Sequence, residues 1–297
     1  MALNIGVIGI RGAWSTESLS QHLQAKGAGG QIVELHELSH DLATGCLKFG
    51  ALDVSAFDGF IVKKMGKRYS PNLREQLELL AMMERRGVRF FSSPRAIQKM
   101  ISRLACTLTL NEHHLPMPPT FVTEAIDDAI AWAADKFPVI LKPLYSTKAR
   151  GMALLTDPVS ARDAMTQQVD KGETVLYLQQ KCDIDGADYG LVFLGGEFLG
   201  AYARVGDGSA WHTTTQEGGK YGTCNLDPEI IELARQAQAP FGLDFTCVDV
   251  AITREHGPVV FEVSAFGGYK GLYKATGLDA SDLLTDHVIR RLRDQQH

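Results

Sequence analysis

"FTCVDVAITREHGPVVFEVS" (residues 245–264) reads as two apolar strands joined at "REHG" (254–257). A four-residue turn there pairs Thr253 with Pro258 and sets Asp249 opposite Glu262. Two carboxylates facing each other on neighbouring strands repel, and each interrupts an apolar run, so the pair asks for a cation. Ser264, two residues after Glu262, points to the same face. Asp, Glu and Ser oxygens suit hard Mg²⁺, which binds through one or two carboxylates together with substrate phosphates. The alternative is that these side chains face solvent on the open side of an antiparallel sheet.

A hundred residues upstream, "VILKPLYSTKARG" (139–151) gathers Lys142, Lys148 and Arg150 within a chain whose formal net charge is −5. Cations and paired carboxylates together describe a nucleoside triphosphate site, in which the cations neutralise phosphate oxygens and a metal bridges them. The sequence has no GxxxxGK[ST] phosphate loop and no kinase HRD or DFG set. Gly6, Gly9 and Gly12 are spaced GxxGxxG rather than GxGxxG, so no dinucleotide site is expected.

The 297 residues, 45% hydrophobic and 22% charged, fit a globular protein of two or three subdomains. The acidic balance and the lack of an aromatic–basic platform argue against a nucleic-acid partner. No apolar run reaches the ~20 residues that span a bilayer, so no membrane partner is expected. "MALNIGVIGIRGAW" lacks a basic leader and reads as a first strand. Five scattered cysteines without a CxxC imply neither a zinc site nor a disulfide framework, and a cytoplasmic location is expected.

Strands at 4–10, "QIVELH", "GFIVKK" and "VRFF", with helices beginning near Ser15 and covering 71–87, predict an amino-terminal α/β domain with a mostly parallel sheet. Helices are expected at 94–101, 103–114, 124–136, 158–169, 227–242 and 280–293. Strands are expected at 138–142, 151–156 and 174–180, with a hairpin about Gly195-Gly196. The expected domains are 1–93, 94–182 and 183–297.

The order of the runs "AIQKMISRLACTLTLNEHHLPMPPT", "VILKPLYSTKARGMALL", "LYLQQKCD", "CVDVAI" and "GPVVFEVSAFGG" resembles the ATP-grasp superfamily, and within it the RimK-like carboxylate–amine ligases. "SPRAI", "MPPT" and "KPLYSTKARGM" also resemble an uncharacterised ATP-grasp subfamily, the GAK-system enzymes, which brings no established substrate. The resemblance implies an ATP-grasp fold, α/β and α+β, with two α+β subdomains clamping ATP after the amino-terminal domain. It implies phosphate contacts from Lys142 and Arg103, adenine reading by the backbone of Gln179, Gln180, Lys181 and Cys182, and ribose contacts near Asp188. Arg204 falls where such ligases place an Arg at the transferred phosphoryl group, with Arg150 as a second cation there. Asp249 and Glu262 match the Mg²⁺ ligands; Mn²⁺ is an alternative ion. The chain departs from the pattern where "YSTKARG" replaces a Gly-rich phosphate loop, where Ser264 replaces a metal-binding Asn, and near Thr214, where another Asn is usual. In that loop the cations, Lys148 among them, stand in for Gly backbone donors.

The implied reaction activates a carboxylate as an acyl phosphate, which an amine then displaces; the acid and amine are small molecules or peptides, and a homo-oligomer is in keeping with the family. Lys270, in "SAFGGYKGL" (264–272), is a candidate for holding an acidic substrate, with a plain glycine turn as the alternative. Arg11, beside the first helix, is a candidate anion site, with a bland loop as the alternative. Lys63-Lys64 and Lys67-Arg68 are expected to be solvated, with a role in holding an acidic substrate as the alternative. The rival functions are a phosphotransferase on the same fold and a non-catalytic nucleotide-binding regulatory module.

Overall fold

The computed structural model describes residues 2–147, 149–184, 186–206 and 219–294. The chain opens with β1 (Ile5–Ile8), α1 (Trp14–Ala25), β2 (Gly29–Val33), β3 (Leu38–His40), β4 (Leu47–Phe49), β5 (Leu52–Asp53), β6 (Gly59–Val62), α2 (Leu73–Arg85) and β7 (Phe90–Phe91). β2-β1-β6-β7 form a parallel sheet in that order. β1 and β6 are buried at every position, which is why they read as continuous apolar runs. α1 starts at Trp14, one residue before the expected start, and Gly27 follows it with φ 64°. β3-β4-β5 make a small separate sheet that no pattern announced, since strands of two or three residues are too short to show alternation.

Next come α3 (Pro94–Ile101) and α4 (Arg103–Glu112), which meet at Ser102. Its extended backbone breaks the helix, and its Oγ accepts the Ala105 N–H. β8 (Thr120–Thr123), α5 (Ile126–Ala133), β9 (Val139–Leu141), β10 (Ala153–Leu155), α6 (Pro158–Asp170) and β11 (Leu176–Gln180) follow. Their antiparallel sheet, β10-β9-β11-β8, closes a small core of its own with α5 and α6, including Ala129, Leu141, Met165 and Leu178.

The last part holds β12 (Ala187–Leu194), β13 (Glu197–Val205), β14 (Lys220–Gly222), α7 (Pro228–Gln238), β15 (Phe245–Thr253), β16 (Gly257–Ser264), α8 (Tyr269–Thr276) and α9 (Ala280–Arg293). The sheet order is β14-β13-β12-β15-β16, antiparallel throughout. The β12–β13 turn uses Gly195 and Gly196, both at positive φ. In the β15–β16 hairpin Thr253 pairs with Gly257, not Pro258, so the turn is one residue shorter than expected. Asp249 nevertheless faces Glu262, because a bulge lies between the Val250–Val260 and Asp249–Glu262 pairs and places Phe261 as the extra residue.

The expected cut at residue 93 passes through shared packing. Ile97, Met100 and Leu110 of α3 and α4 sit in one core with Val62 and Leu77 of the first sheet region and Val248 and Val263 of the last. A second core joins Ile5, Val7 and Leu19 to Val192, Cys247, Leu272 and Val288. The stretch 264–272, read as a glycine-rich turn, turns at Gly268 (φ 87°) and then enters α8.

Candidate active site

Lys142 leaves the end of β9, its N–H donating to the Tyr177 carbonyl. Gln179 pairs with Ile140 in the sheet, so the side chains of Gln179 and Lys142 share a face. There Lys142 Nζ donates to Gln179 Oε1, and Gln179 Nε2 donates to Thr120 Oγ1 at 2.9 Å. Lys142 is buried, and among the described residues its ammonium group bonds a neutral oxygen. Burial, and the repulsion of nearby Arg103, push its pKa down to about 7. A cation in this setting gains strongly from an arriving anion.

Arg103, the first residue of α4, ties the cationic loop to the carboxylate strand. Its Nε donates to the Pro143 carbonyl at 3.1 Å and its Nη2 to Ser146 Oγ at 3.3 Å. Its Nη1 lies 3.7 Å from Glu262 Oε2. Cys106, one turn along α4, accepts the Val263 N–H and so fixes the helix on β16.

One face of the last sheet carries the acidic groups. Arg204 pairs with Asp188 in register and bonds its Oδ2 through both Nε and Nη2. Nη2 also reaches Asp249 Oδ2 at 3.0 Å. Between them Gly190 faces Asp249 and has no side chain, and the Tyr202 ring lies over it. A Cβ on Gly190 would stand 2.4 Å from Tyr202 Cζ, and one on Gly271 of α8 would stand 2.5 Å from Tyr202 Cε2. Two glycines therefore sandwich the ring two residues from Arg204. Burial raises the Asp249 pKa to about 6; Arg204 pulls it down, while Asp188 and Glu262 push it up. Glu262 is 42% exposed and open to a ligand. Ser264 Oγ accepts the Phe266 N–H at 3.1 Å, and the hydroxyl keeps a further lone pair.

The remaining expected residues fall as follows. Arg150 is exposed and folds back on Thr147, with bonds to its carbonyl and Oγ1. Lys148 and Thr214 lie outside the described residues. The N–H groups of Gln180 and Lys181 donate to the Pro119 and Pro138 carbonyls, so those two amides are already engaged within the fold. Cys182 is buried, with its thiol pushed up to about 11 by burial. Asp188, expected near the ribose, is buried and accepts from Arg204. Arg11 is not free for an anion: Glu37 takes its Nη1 at 2.6 Å, Glu34 lies 3.5 Å away, and the Ile32 carbonyl accepts from Nη2. The N–H of Gly12 is taken by Glu17, so the chain's own carboxylates fill the anion site expected there. Lys270 is exposed on the first turn of α8. Lys63, expected in solvent, is buried, because β6 carries it under the turn before α8. The basic pair at the end of "GFIVKK" marked Lys63 in the sequence as an alternative holder of an acidic substrate, whereas Thr120, Gly190 and Tyr202 were missed.

The donor set fits ATP with a hard divalent ion. A buried lysine and an arginine face two carboxylates and a hydroxyl, all oxygen donors. Among the described residues no three His, Cys, Asp or Glu side chains cluster as a closed metal site.

Residues 102–288 match the RimK-like ATP-grasp domain. The chain belongs to this family. Tetrahydromethanopterin:alpha-L-glutamate ligase of Methanosarcina acetivorans is 22% identical over 308 residues, covering 93% of this chain and 95% of its own. The crystal structure of a RimK domain ATP-grasp protein from Sphaerobacter thermophilus superposes with a TM-score of 0.76 at 21% identity, over 95% of this chain and 98% of that one. The ATP-grasp ligase PsnB, in complex with a minimal precursor, Mg and ADP, superposes with a TM-score of 0.70 at 16% identity over 98% of this chain and 99% of that one. The fold is thus ATP-grasp, and this RimK-like enzyme is an ATP-dependent ligase that joins a carboxylate to an amine. Among the described residues no helix is long and apolar enough to cross a membrane.

Proposed function

We propose that the enzyme binds ATP between the central sheet and the last sheet, phosphorylates an acid substrate, and transfers the acyl group to the amine of an amino acid. The observation that carries this reading is the Arg103–Glu262 approach of 3.7 Å, which joins the phosphate-facing cations to the carboxylate strand. Lys142 and Arg103 hold the ATP phosphates, and the backbone beyond Lys181 reads the base. Asp249 and Glu262, with the Ser264 hydroxyl, hold Mg²⁺; Mn²⁺ suits the same oxygens. When bound, the ion neutralises phosphate charge.

In the first step an oxygen of the acid carboxylate forms a bond to the γ-phosphorus, and the bond to the β,γ-bridging oxygen breaks, releasing ADP. In the second, the amine nitrogen attacks the acyl carbon, inorganic phosphate leaves, and the amine loses a proton. No protein nucleophile is required. Lys142 and Arg204 bind and orient phosphate charge in this reading, which the Asp188 bonds to the Arg204 guanidinium support. Arg150, exposed on the loop, supplies a further cation. Catalysis here is positioning and charge neutralisation. The Methanosarcina relative carries L-glutamate in its name, which supports an acidic amino acid as the amine and Lys270 as a candidate for its side-chain carboxylate. The peptide precursor bound by PsnB supports a peptide as the alternative acid.

The test is calorimetric titration of ATP, with and without Mg²⁺, into the native protein and Asp249→Asn/Glu262→Gln, followed by ADP release with acids and amines in combination. Mg²⁺-dependent binding that is lost in the double variant is expected. ADP release that needs no amine and yields a stable phosphorylated product would instead identify a phosphotransferase. Metal-independent binding in both proteins would overturn the assignment of the carboxylates.

A further inference from the structure

Lys63 has no part in the reaction described above, yet it is placed with care. It follows β6 directly, at the carboxyl edge of the parallel sheet, and the residue is 3% exposed. Its N–H donates to the Ile8 carbonyl, which fixes the stem in the sheet. An ammonium group is costly to bury without a carboxylate. Among the described residues, the groups that face this one are Lys64, the buried Cys247 thiol, the Tyr269 ring and the Phe266 carbonyl. Nζ donates to that carbonyl at 2.6 Å and stands 4.4 Å from the Tyr269 ring centroid.

Phe266 is gripped at three points. Ser264 Oγ accepts its N–H at 3.1 Å, Lys63 takes its carbonyl, and the Tyr69 ring meets its ring edge-on with centroids 6.3 Å apart. Both Lys63 and Tyr69 come from the amino-terminal domain. The turn they hold is pressed on the sheet: a Cβ at Gly268 would lie 2.8 Å from Val192 Cγ2. A single residue therefore separates Lys63 from the hydroxyl at the carboxylate strand.

We propose that Lys63 is a positioning residue of the active site, fixing Phe266 and through it the Ser264 hydroxyl, so that the amino-terminal domain sets the geometry of the metal end. This rests on the assignment of Ser264 to the metal in the reading above. A Lys63 that merely docks the domain would lower stability without touching ion affinity.

Mg²⁺ affinity in the ADP complex, read by calorimetry, separates the two, with thermal melting run alongside. Lys63→Met keeps the stem and removes the donor; it is expected to weaken Mg²⁺ binding about 10-fold, the low end of what loss of a ligand-orienting partner costs. Lys63→Arg, which keeps a cationic donor, is expected to recover part of that. Ser264→Ala should weaken binding by a similar factor, and Lys63→Met/Ser264→Ala should be no worse than the worse single variant, since both act on one hydroxyl. Should Lys63→Met fail to fold, Lys63→Leu, which likewise lacks a donor, carries the same test. Unchanged Mg²⁺ affinity with a lower melting temperature, or additive losses in the double variant, would overturn the role of Lys63 alone. Absence of Mg²⁺-dependent ADP binding in the native protein would overturn the site assignment and this role with it.

Discussion

Nη2 of Arg204 lies 3.0 Å from Oδ2 of Asp249, while the same guanidinium bonds Asp188 through Nε and Nη2. One planar cation thus holds a candidate metal ligand and a buried carboxylate at once, across the gap left by Gly190. A lysine offers a point charge and cannot make this fork. Arg204→Lys is expected to fold and to bind ATP, with kcat lowered about 10²–10³-fold, the usual loss for a misplaced charge-stabilising donor. Steady-state kinetics with ADP release as readout checks this; an unchanged kcat would remove Arg204 from the reacting centre.

Asp249 gives a pH signature to the metal-free protein. Its folded pKa, about 6, stands above its ordinary 3.8 because burial disfavours the charge. Between those values the folded state holds a proton that the unfolded state releases, so stability falls as pH rises from about 4 to 6. The cost is absent below that window and fully present above it, on the order of 2–3 kcal/mol. Denaturant unfolding across pH 4–7 should show this decline in the native protein and a flatter profile in Asp249→Asn.

Lys142 has the opposite sense. Its folded pKa is about 7 against an ordinary 10.5, so the burial cost is greatest below pH 7 and stability rises through the window between the two values. Phosphate arriving at Nζ restores the charge. ATP binding near pH 8 is therefore expected to take up protons, measured by calorimetry in two buffers of different ionisation heat. Lys142→Met should abolish much of the uptake and weaken binding about 10–100-fold, in line with the ~1.5–3 kcal/mol of a hydrogen bond to a charged group.

Tyr202 has no room to move between Gly190 and Gly271. Gly190→Ala puts a methyl carbon into the ring and is expected to cost about 1–3 kcal/mol in stability, as overpacking does. It should also lower kcat, since the displaced ring lies two residues from Arg204. Melting temperature and kcat measured together test the link.

Arg11 serves as the contrast. Its ion pairs with Glu34 and Glu37 are half exposed and far in role from the nucleotide. Arg11→Ala is expected to cost no more than about 1 kcal/mol and to leave the ATP affinity unchanged in the same titration.

Local pattern carried much of this protein. Apolar runs announced the buried strands, Gly195-Gly196 announced a hairpin, and two carboxylates in one hairpin announced the acidic face, because side-chain period and turn chemistry act over a few residues. The Asp249–Glu262 pairing came out as read, though through a shorter turn and a bulge, which the sequence cannot show since register depends on neighbouring strands. The tertiary structure alone decided which charges are buried and what they touch. "GFIVKK" and "GIRGAW" each hold a cation at the end of a strand; packing under the 265–268 turn buries Lys63, while Glu34 and Glu37 close on Arg11. Asp188 and Arg204, sixteen residues apart, become one unit only when β12 and β13 pair. The burial that shifts Lys142 and Asp249 in opposite directions is likewise a property of the folded cleft: desolvation comes from chain segments that meet only in three dimensions.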